Sequence, residues 1–265
     1  MNKPEPKFVR DLEVNSFMSE NDVPIIVKDT PNGPLTFFGF GSTAEFRART
    51  LLTKEPETIA WIDSFEPDGI FWDIGANIGV YSLFAALKLK KVMAFEPSAF
   101  NYYLLNKNIY LNGLDKKIDT FNIAFSNITG LDYLYLSSVE SAGGANSFAV
   151  KEDACGDAMN VAYRQSCFGL TIDDFISQYN LSTPNYIKID VDGIELLIIK
   201  GGGDTFLDQS LQSVLIEVNE NKKSETDDIC AFMKRCGFKE ATKRHPPDFD
   251  DAYYKPFFNY IFERR

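Results

Sequence analysis

The residues from Asp73 to Gly79 have the types and spacing of a ligand-binding turn. This stretch reads as the end of a buried strand, a glycine-containing turn and the start of an amphipathic helix. Gly75 and Gly79 let the backbone approach a ligand closely and tolerate positive φ. Amide groups at the start of the helix, with the positive end of its dipole, favour a carboxylate or a phosphate.

Asp73, just before the turn, indicates which anion the site accepts. Its carboxylate would repel a pyrophosphate but would attract a cation. An acid beside a set of amides suits a zwitterion, with an ammonium on Asp73 and a carboxylate on the amides. The methionine end of S-adenosylmethionine (SAM) is such a group. The structural alternative is that Asp73 is a cap and that Asn77 is the N-cap of the helix.

A second acid ends the next predicted strand. Residues 91–96 read as a buried strand that ends at Glu96, 23 residues after Asp73, and Pro97 stops it because proline lacks the amide that a ladder needs. In dinucleotide folds a carboxylate at this place accepts both hydroxyls of a ribose. The turn has the spacing D-x-G-x-N-x-G and not the G-x-G-x-x-G of dinucleotide-binding proteins. The pair of acids therefore favours a nucleoside ligand such as SAM.

Composition and charge limit the classes of partner. The 265-residue chain is 45% hydrophobic and has a net charge of −11, which argues against tight binding of nucleic acid. No stretch approaches the roughly 18–20 apolar residues of a membrane span, and the N-terminal segment lacks the apolar region of a signal peptide. Four cysteines without a C-x-x-C pair, and a single histidine, argue against a zinc site. We expect free thiols in a cytoplasmic enzyme, and a homo-oligomer is compatible with the sequence.

The predicted elements place the acids at one edge of a sheet. From Gly69 onward, strands at 69–74, 91–96, 118–124, 186–190 and 213–218 alternate with helices, which is typical of a doubly wound α/β domain. Residues 238–242 and 257–263 read as two consecutive strands with no helix between them, which predicts an antiparallel strand at one edge of the sheet. Residues 24–40 read as a hairpin and 43–65 as two short helices. We predict an N-terminal extension, 1–66, and one domain, 67–265.

Two further segments are less regular. Residues 131–136 look like an additional strand, and Thr171 is placed to cap a short helix that reaches Tyr179. Residues 137–159 are small, polar and rich in glycine. We predict that they form a mobile loop near the substrate, and an inert surface insertion is the alternative.

Several segments occur in a characteristic order over roughly residues 40–220: KEPET and WI (54–62), DIGANIGVYSLFAA (73–86), AFEPSAFNYYLLNKNIYLNG (94–113), LTIDDFI (170–176), IKIDVDGIELLIIKGG (187–202) and LIEVNE (215–220). This set resembles the FkbM-type SAM-dependent methyltransferases. The resemblance implies an α/β, Rossmann-like class I methyltransferase fold with a mostly parallel seven-stranded sheet and an antiparallel C-terminal edge strand. It also implies SAM as methyl donor and a hydroxyl of a sugar, glycan, glycolipid or natural product as acceptor.

The resemblance also implies roles for single residues. It implies a methionine-binding turn formed by Asp73, Gly75, Asn77 and Gly79. Glu96 matches the ribose-binding acid, and Asn122 and Ala124 fall where such folds contact adenine. Asp192 stands where the family often carries Glu. The loop at 137–159 and the stretch 240–256 match no pattern of the family, which leaves acceptor binding open.

Asp190 is the first candidate for chemistry. It ends the fourth parallel strand, next to the first, so it should face the methyl group and belong to the cofactor site as well. We predict that Asp190 removes the proton of the acceptor hydroxyl or orients that hydroxyl. Lys188 and His245 are further catalytic candidates. Lys188 alternatively pairs with an internal carboxylate, and His245 alternatively is an exposed loop residue.

Other polar residues lie near the same sheet edge. Glu217 and Asn219 end the fifth strand and are candidates for acceptor binding. Asp192 and Glu195 have the spacing of a capping box, which we favour over a catalytic role. Carboxylates near Asp190 could hold a divalent metal, but nothing in the sequence requires one and we predict none.

Two other functions stay open. A SAM-binding module without catalysis would have the cofactor pocket and no turnover. A nicotinamide-dependent oxidoreductase is the less favoured alternative, because the chain lacks G-x-G-x-x-G and ends in two consecutive strands.

Overall fold

Strands and helices alternate in the computed structural model, which describes residues 22–245 and 255–264. The elements are β1 (Ile25–Lys28), β2 (Leu35–Phe38), α1 (Ser42–Arg49), α2 (Pro56–Asp63), β3 (Ile70–Ile74), α3 (Val80–Lys88), β4 (Lys91–Phe95), α4 (Ala99–Asn112), β5 (Ile118–Phe121), β6 (Ala124–Phe125), β7 (Gly130–Leu136), β8 (Asn146–Phe148), β9 (Tyr163–Leu170), α5 (Ile172–Tyr179), β10 (Tyr186–Ile189), α6 (Glu195–Lys200), α7 (Gly203–Leu207), β11 (Ser213–Asn219), α8 (Lys223–Arg235), β12 (Thr242–Arg244) and β13 (Phe257–Glu263). The first 21 residues of the predicted extension, including the segment examined for a signal peptide, lie outside the described residues.

The main sheet has seven strands in the order β12-β13-β11-β10-β3-β4-β5. Strands β5, β4, β3, β10 and β11 are parallel to one another, and β13 is antiparallel to both of its neighbours. The α/β, Rossmann-like fold with a mostly parallel seven-stranded sheet is therefore confirmed. The strand order reverses between β3 and β10, and ligands of such sheets bind at the carboxyl ends of the strands near that point.

One detail of the predicted sheet is wrong. The antiparallel C-terminal strand β13 does not lie at the edge, because β12 pairs with its outer side. Strand β13 is almost wholly buried and needs a neighbour on each side, whereas the three residues of β12 are all exposed. A short, polar, exposed strand is what sheet edges usually carry.

The N-terminal extension packs on the main sheet and shares its core. Trp61 donates its indole N–H to Ser213 Oγ at 2.8 Å, and the rings of Phe65 and Tyr186 stack with centroids 3.7 Å apart. The hairpin is joined to α4 because Asn108 Oδ1 accepts the backbone N–H of Phe38 at 2.8 Å. The first two contacts fix the end of α2 and the residues just after it at the amino ends of β10 and β11, because Tyr186 and Ser213 are the first residues of those strands.

A second sheet has the order β6-β9-β7-β8. Of its strands, β7 was predicted as the additional strand at 131–136. The single strand predicted at 118–124 is two strands in the structure, β5 in the main sheet and β6 in this one. Strand β9 was missed because its sequence, YRQSCFGL, mixes polar and apolar residues and its exposed positions do not alternate regularly. This sheet supports the segment after β7, which contains β8 and reaches the main sheet's carboxyl edge.

Local signals predicted two helix ends correctly. Thr171 accepts the N–H of Asp174 at 3.0 Å as the N-cap of α5, and Gly113 ends α4 with φ of 62°. Among the described residues, none of the helices has the length and apolar character that crossing a bilayer requires.

Candidate active site

A cavity of about 460 Å³ opens at the carboxyl ends of β3, β4, β10 and β11. Its wall contains four acidic residues, Glu96, Asp190, Asp192 and Glu217. It also contains residues of α1 and the following turn, and the segment 143–146. A smaller recess of about 30 Å³ adjoins it and shares Arg47, Lys54, Gly75, Asn77 and Asp190 with it.

The turn after β3 is built on two glycines with positive φ, Gly75 at 85° and Gly79 at 84°. A Cβ at Gly75 would lie 1.9 Å from the backbone oxygen of Asp190, and one at Gly79 would lie 2.4 Å from Leu105 Cδ1. Gly75 therefore requires glycine for space as well as for conformation, whereas at Gly79 the positive φ is the firmer requirement, because the leucine side chain can shift. The close approach of Gly75 to the end of β10 brings the turn and Asp190 together at the cavity.

The amides of this turn are already occupied. Each of the five from Gly75 to Gly79 donates inside the protein: Gly75 and Ala76 to Phe95 O (3.0 Å each), Asn77 to Glu96 Oε2 (2.8 Å), Ile78 to Asn77 Oδ1 (3.0 Å) and Gly79 to Ala76 O (2.8 Å). The prediction that these amides bind a ligand carboxylate is wrong. Asn77 is also not the N-cap of α3, since that position is Gly79. Instead, Asn77 Nδ2 donates to Gly143 O at 3.0 Å.

Glu96 lies in the cavity wall, as the sequence predicted for a ribose-binding acid. Its Oε2 accepts from Asn77 N and its Oε1 accepts from Ser98 N, both at 2.8 Å. Burial raises the pKa of Glu96 to about 7, although these two amides favour the charged form. Each carboxylate oxygen keeps a second lone pair, so Glu96 can still accept hydroxyl groups.

Asp73 lies beneath the turn and does not line the cavity in the described part of the chain. Its Oδ2 accepts the hydroxyl of Ser82 at 2.5 Å, and its buried Oδ1 has no hydrogen-bond partner. Burial raises the pKa of Asp73, against the opposing effect of Lys188, which is its register neighbour on β10. Asp73 therefore supports the turn from below and does not reach the cavity, where the predicted contact with the ammonium of the ligand would be made.

Lys188 is a buried cation between carboxylates. Its Nζ lies 2.7 Å from Asp190 Oδ2. Burial alone would lower the pKa of Lys188, but Asp190, Asp73 and Glu55 together outweigh burial and raise it. Lys188 therefore stays charged at neutral pH and is not available as a general base. The alternative prediction, pairing with an internal carboxylate, is correct.

Glu55, at the N-cap position of α2, extends this buried charge network toward the extension. Its Oε1 lies 2.9 Å from Lys54 Nζ, and Thr58 Oγ1 donates to its Oε2 at 3.1 Å. Burial would raise the pKa of Glu55, but Lys54 and Lys188 more than compensate and lower it to about 2. Glu55 is therefore a fixed negative charge that links the extension to the site.

Asp192 and Glu217 complete an acidic wall beside Asp190. Asp192 Oδ2 accepts the N–H of Ala145 at 2.8 Å, so the capping-box interpretation is wrong for this residue. Glu195 is the first residue of α6 after the N-cap Ile194 and so does not form a capping box either; its Oε1 accepts the amides of Val191 and Gly193. Burial first, and then the charge of Asp190, raise the pKa of both Asp192 and Glu217.

Besides Asp73, Gly79 and Lys188, four predicted site residues do not line this cavity in the described parts of the chain. Asn122 is exposed and donates to Glu96 O and Pro97 O, and Ala124 is buried in β6. Asn219 donates to Ala154 O at 3.0 Å. The ring of His245 bonds to Phe257 O through Nδ1 at 3.0 Å, and the part of its predicted loop beyond residue 245 lies outside the described residues.

Sequence reasoning missed two parts of the wall. Arg47 comes from α1, where it resembles the other surface charges of a short helix, so no signal in the sequence distinguished it. The backbone of residues 142–145 is held against the site by Arg47, Asn77, Asn101 and Asp192. The prediction that the 137–159 loop lies near the substrate agrees with this position.

Comparisons with known proteins identify the family. The Methyltransferase FkbM domain matches residues 73–240, which is more than half of the chain. The chain is 26% identical to the hexuronic acid methyltransferase AglP of Haloferax volcanii over 176 residues, 66% of each protein. It is also 26% identical to the antimetabolite synthetase AmbE of Pseudomonas aeruginosa, with 67% of this chain and 10% of that protein covered.

A solved structure supports the fold. The FkbM methyltransferase of Methylobacillus flagellatus superimposes with a TM-score of 0.52 and 15% identity, over 75% of this chain and 44% of that one. Likeness at this identity concerns the fold, and the matched domain supplies the family. The chain belongs to the FkbM methyltransferase family, and SAM is its methyl donor.

Proposed function

We propose that this protein is an O-methyltransferase that acts on a hydroxyl of a sugar, glycan, glycolipid or natural product. The observation that carries the proposal is the acidic wall, in which Asp190, Asp192 and Glu217 face the cavity next to Gly75. Carboxyl oxygens accept hydrogen bonds from hydroxyl groups, and several of them in one wall suit an acceptor that presents several hydroxyls.

The residues present fit SAM. Glu96 has lone pairs for the ribose hydroxyls, and the missing side chain at Gly75 leaves open the approach to the end of β10. Asn77 and Asp190 would border the methionine part, because both line the large cavity and the adjoining recess. When bound, SAM supplies an electrophilic methyl group on a sulfonium.

Asp190 is the proposed general base. Its side chain is about a quarter exposed, whereas that of its partner Lys188 is buried, so the carboxylate can be reached from the cavity. The ammonium of Lys188, 2.7 Å from Asp190 Oδ2, holds that carboxyl group in position. Alignment of acceptor and donor can supply about 7–11 kcal/mol, and a positioned base typically adds about 10²–10⁴-fold.

The relatives agree with a hydroxylated acceptor. AglP is named for methylation of hexuronic acid, which is a sugar. Because the match covers 66% of AglP and 10% of AmbE, neither name fixes the acceptor of this chain. A sugar carries several hydroxyls on its ring, and this is the kind of acceptor that the acidic wall suits.

The test uses SAM labelled with ¹³C in the methyl group. The protein is incubated with glycosides of a neutral hexose, a uronic acid and an amino sugar, and with small polyols, and the product methyl carbon is observed by NMR. We expect an O-methyl signal with at least one hydroxylated acceptor. Methylation only at nitrogen or carbon, or SAM binding without turnover across an exhaustive panel, would contradict the proposal.

A pair of variants tests the base. In Asp190→Asn, we expect kcat to fall by about 10²–10⁴-fold, with the Kd of SAM nearly unchanged. Asp115→Asn, at an exposed position between α4 and β5, is the matched control and should keep full activity. Equal activity of the two variants would show that Asp190 is not the base.

A further inference from the structure

The methionine end of SAM carries a carboxylate, and the turn that would ordinarily meet it has no amide to spare. All five amides from Gly75 to Gly79 donate inside the protein. A buried or half-buried carboxylate needs hydrogen bonds or a cation. We propose that Arg47, contributed by the N-terminal extension, binds the carboxylate of the methionine moiety of SAM.

The position of Arg47 fits this role. It lines both the large cavity and the adjoining recess, and in both it lies with Gly75, Asn77 and Asp190. These are the residues that border the methionine part if the ribose is on Glu96. Arg47 therefore shares the large cavity and the recess with residues of the turn, where the amino-acid end of the ligand would lie.

The guanidinium of Arg47 is held in place and still has donors to offer. Its Nε donates to Ala142 O at 2.9 Å, which fixes the plane of the group. Among the described residues, no carboxylate oxygen lies within the 4.0 Å ion-pair distance of Arg47. The two terminal nitrogens can therefore form a bidentate pair with a carboxylate, which is the geometry that arginine favours.

The other two cations near the turn are engaged. Lys188 is paired with Asp190 at 2.7 Å, and Lys54 is paired with the buried Glu55 at 2.9 Å. Apart from Arg47 and Lys54, the charged residues that line the large cavity are four acids, which would repel a carboxylate. The methionine carboxylate requires a cation that no contacting acid neutralises. Arg47 is such a cation.

The test compares two ligands that differ in one group. SAM has the carboxylate and decarboxylated SAM lacks it, so the ratio of their Kd values isolates that group. Calorimetric titration gives both values for the wild type and for Arg47→Met, which keeps most of the side-chain length. We expect the variant to bind SAM about 10–100-fold more weakly, since a hydrogen bond to a charged group is lost, and decarboxylated SAM within about 2-fold of wild type.

Three variants serve as controls. Arg49→Met removes an exposed arginine of the same helix that pairs with Glu45, and it should leave both Kd values unchanged. Lys54→Met should raise the Kd values of both ligands to a similar degree if Lys54 acts through Glu55. Arg47→Lys keeps the charge without the planar fork and should give an intermediate ratio, and it keeps the test available if Arg47→Met fails to fold.

Equal weakening of both ligands in the Arg47 variants would overturn the proposal, and so would unchanged binding of SAM. Either result would leave the proposed O-methylation untouched, because that proposal concerns the acceptor and is tested by product identity. Conversely, failure to find a hydroxylated acceptor would not alter the ratio of the two Kd values.

Discussion

Replacing Lys188 with methionine removes the cation at the centre of the buried charge network. The ammonium lies 2.7 Å from Asp190 Oδ2, is the register neighbour of Asp73, and is close enough to Glu55 to affect its pKa. Methionine keeps a similar shape and volume. The substitution therefore leaves the carboxylates in place without the charge that balances them.

The magnitude follows from distance and burial. At an effective dielectric constant of about 20, two unit charges 2.7 Å apart attract by about 6 kcal/mol. Part of this offsets the cost of burying the ammonium, and breaking a buried pair from one side typically costs about 3–5 kcal/mol. Asp190 is 25% exposed, so water can partly solvate it after the substitution. We therefore expect a loss of about 3 kcal/mol at pH 8.

The loss should depend on pH. Burial has already raised the pKa of Asp73, and Lys188 opposes that rise. Without Lys188 the pKa of Asp73 rises further, and a raised carboxyl pKa means that stability falls as pH increases through it. The difference from wild type should therefore become smaller as the pH is lowered from 8 to 5, because protonation of Asp73 removes part of the unbalanced charge. Lys188 itself titrates only in the alkaline range and does not contribute to this trend.

The assay is urea unfolding at several pH values between 5 and 8, with free energies of unfolding from linear extrapolation. Lys116→Met, at an exposed position, is the control and should change stability by less than about 0.5 kcal/mol. Adding Asp73→Asn to Lys188→Met should recover part of the loss. If Lys188→Met costs no more than the control, or if its cost does not change with pH, the described charge network is not what stabilises this part of the fold.

Three other predictions concern the turn, the ribose acid and a helix cap. Gly75→Ala should abolish measurable SAM binding in calorimetry, because its Cβ would lie 1.9 Å from Asp190 O, whereas Gly130→Ala has open space and should bind normally. Normal binding by Gly75→Ala would refute the close approach. The affinity for SAM should rise with pH through about 7, the pKa of Glu96, as this carboxyl group ionises. One pH unit below that pKa, the affinity should be about 10-fold weaker than at high pH. An affinity independent of pH would contradict the role of Glu96 in binding the ribose. Thr171→Ala should lower the unfolding free energy by about 1 kcal/mol through loss of the cap of α5, and an unchanged midpoint of urea unfolding would show that the cap is not needed.

The strands and turns of the central fold could be predicted because they rest on local signals. Buried apolar runs gave β3, β4, β10 and β11, and glycines gave the ends of α4 and the turn after β3. The internal position of β13 could not be predicted, because the order of strands in a sheet is decided by pairing between distant segments. Strand β9, whose partners in β7 lie 27 to 39 residues earlier in the chain, was missed because its own sequence alternates poorly and its pairing is not local.

The site divides in the same way. Glu96 and Asp190 were placed at the cavity because strand ends in a parallel sheet meet at one edge. The sequence could not show that the amides of the turn are occupied, because the acceptors Phe95 O and Glu96 Oε2 come from the next strand and the residue that follows it. Arg47 has no motif, and only the packing of the extension brings it to the cavity.

The measurement that tests the site most directly is a crystal structure of the protein with S-adenosylhomocysteine, the demethylated product of SAM. We expect the ribose hydroxyls on Glu96, the amino-acid end beside Gly75 with its carboxylate on Arg47, and the sulfur facing Asp190 across space open to an acceptor. A ligand whose sulfur lies away from Asp190, or whose ribose does not reach Glu96, would contradict the proposed site and the role of the acidic wall in methyl transfer.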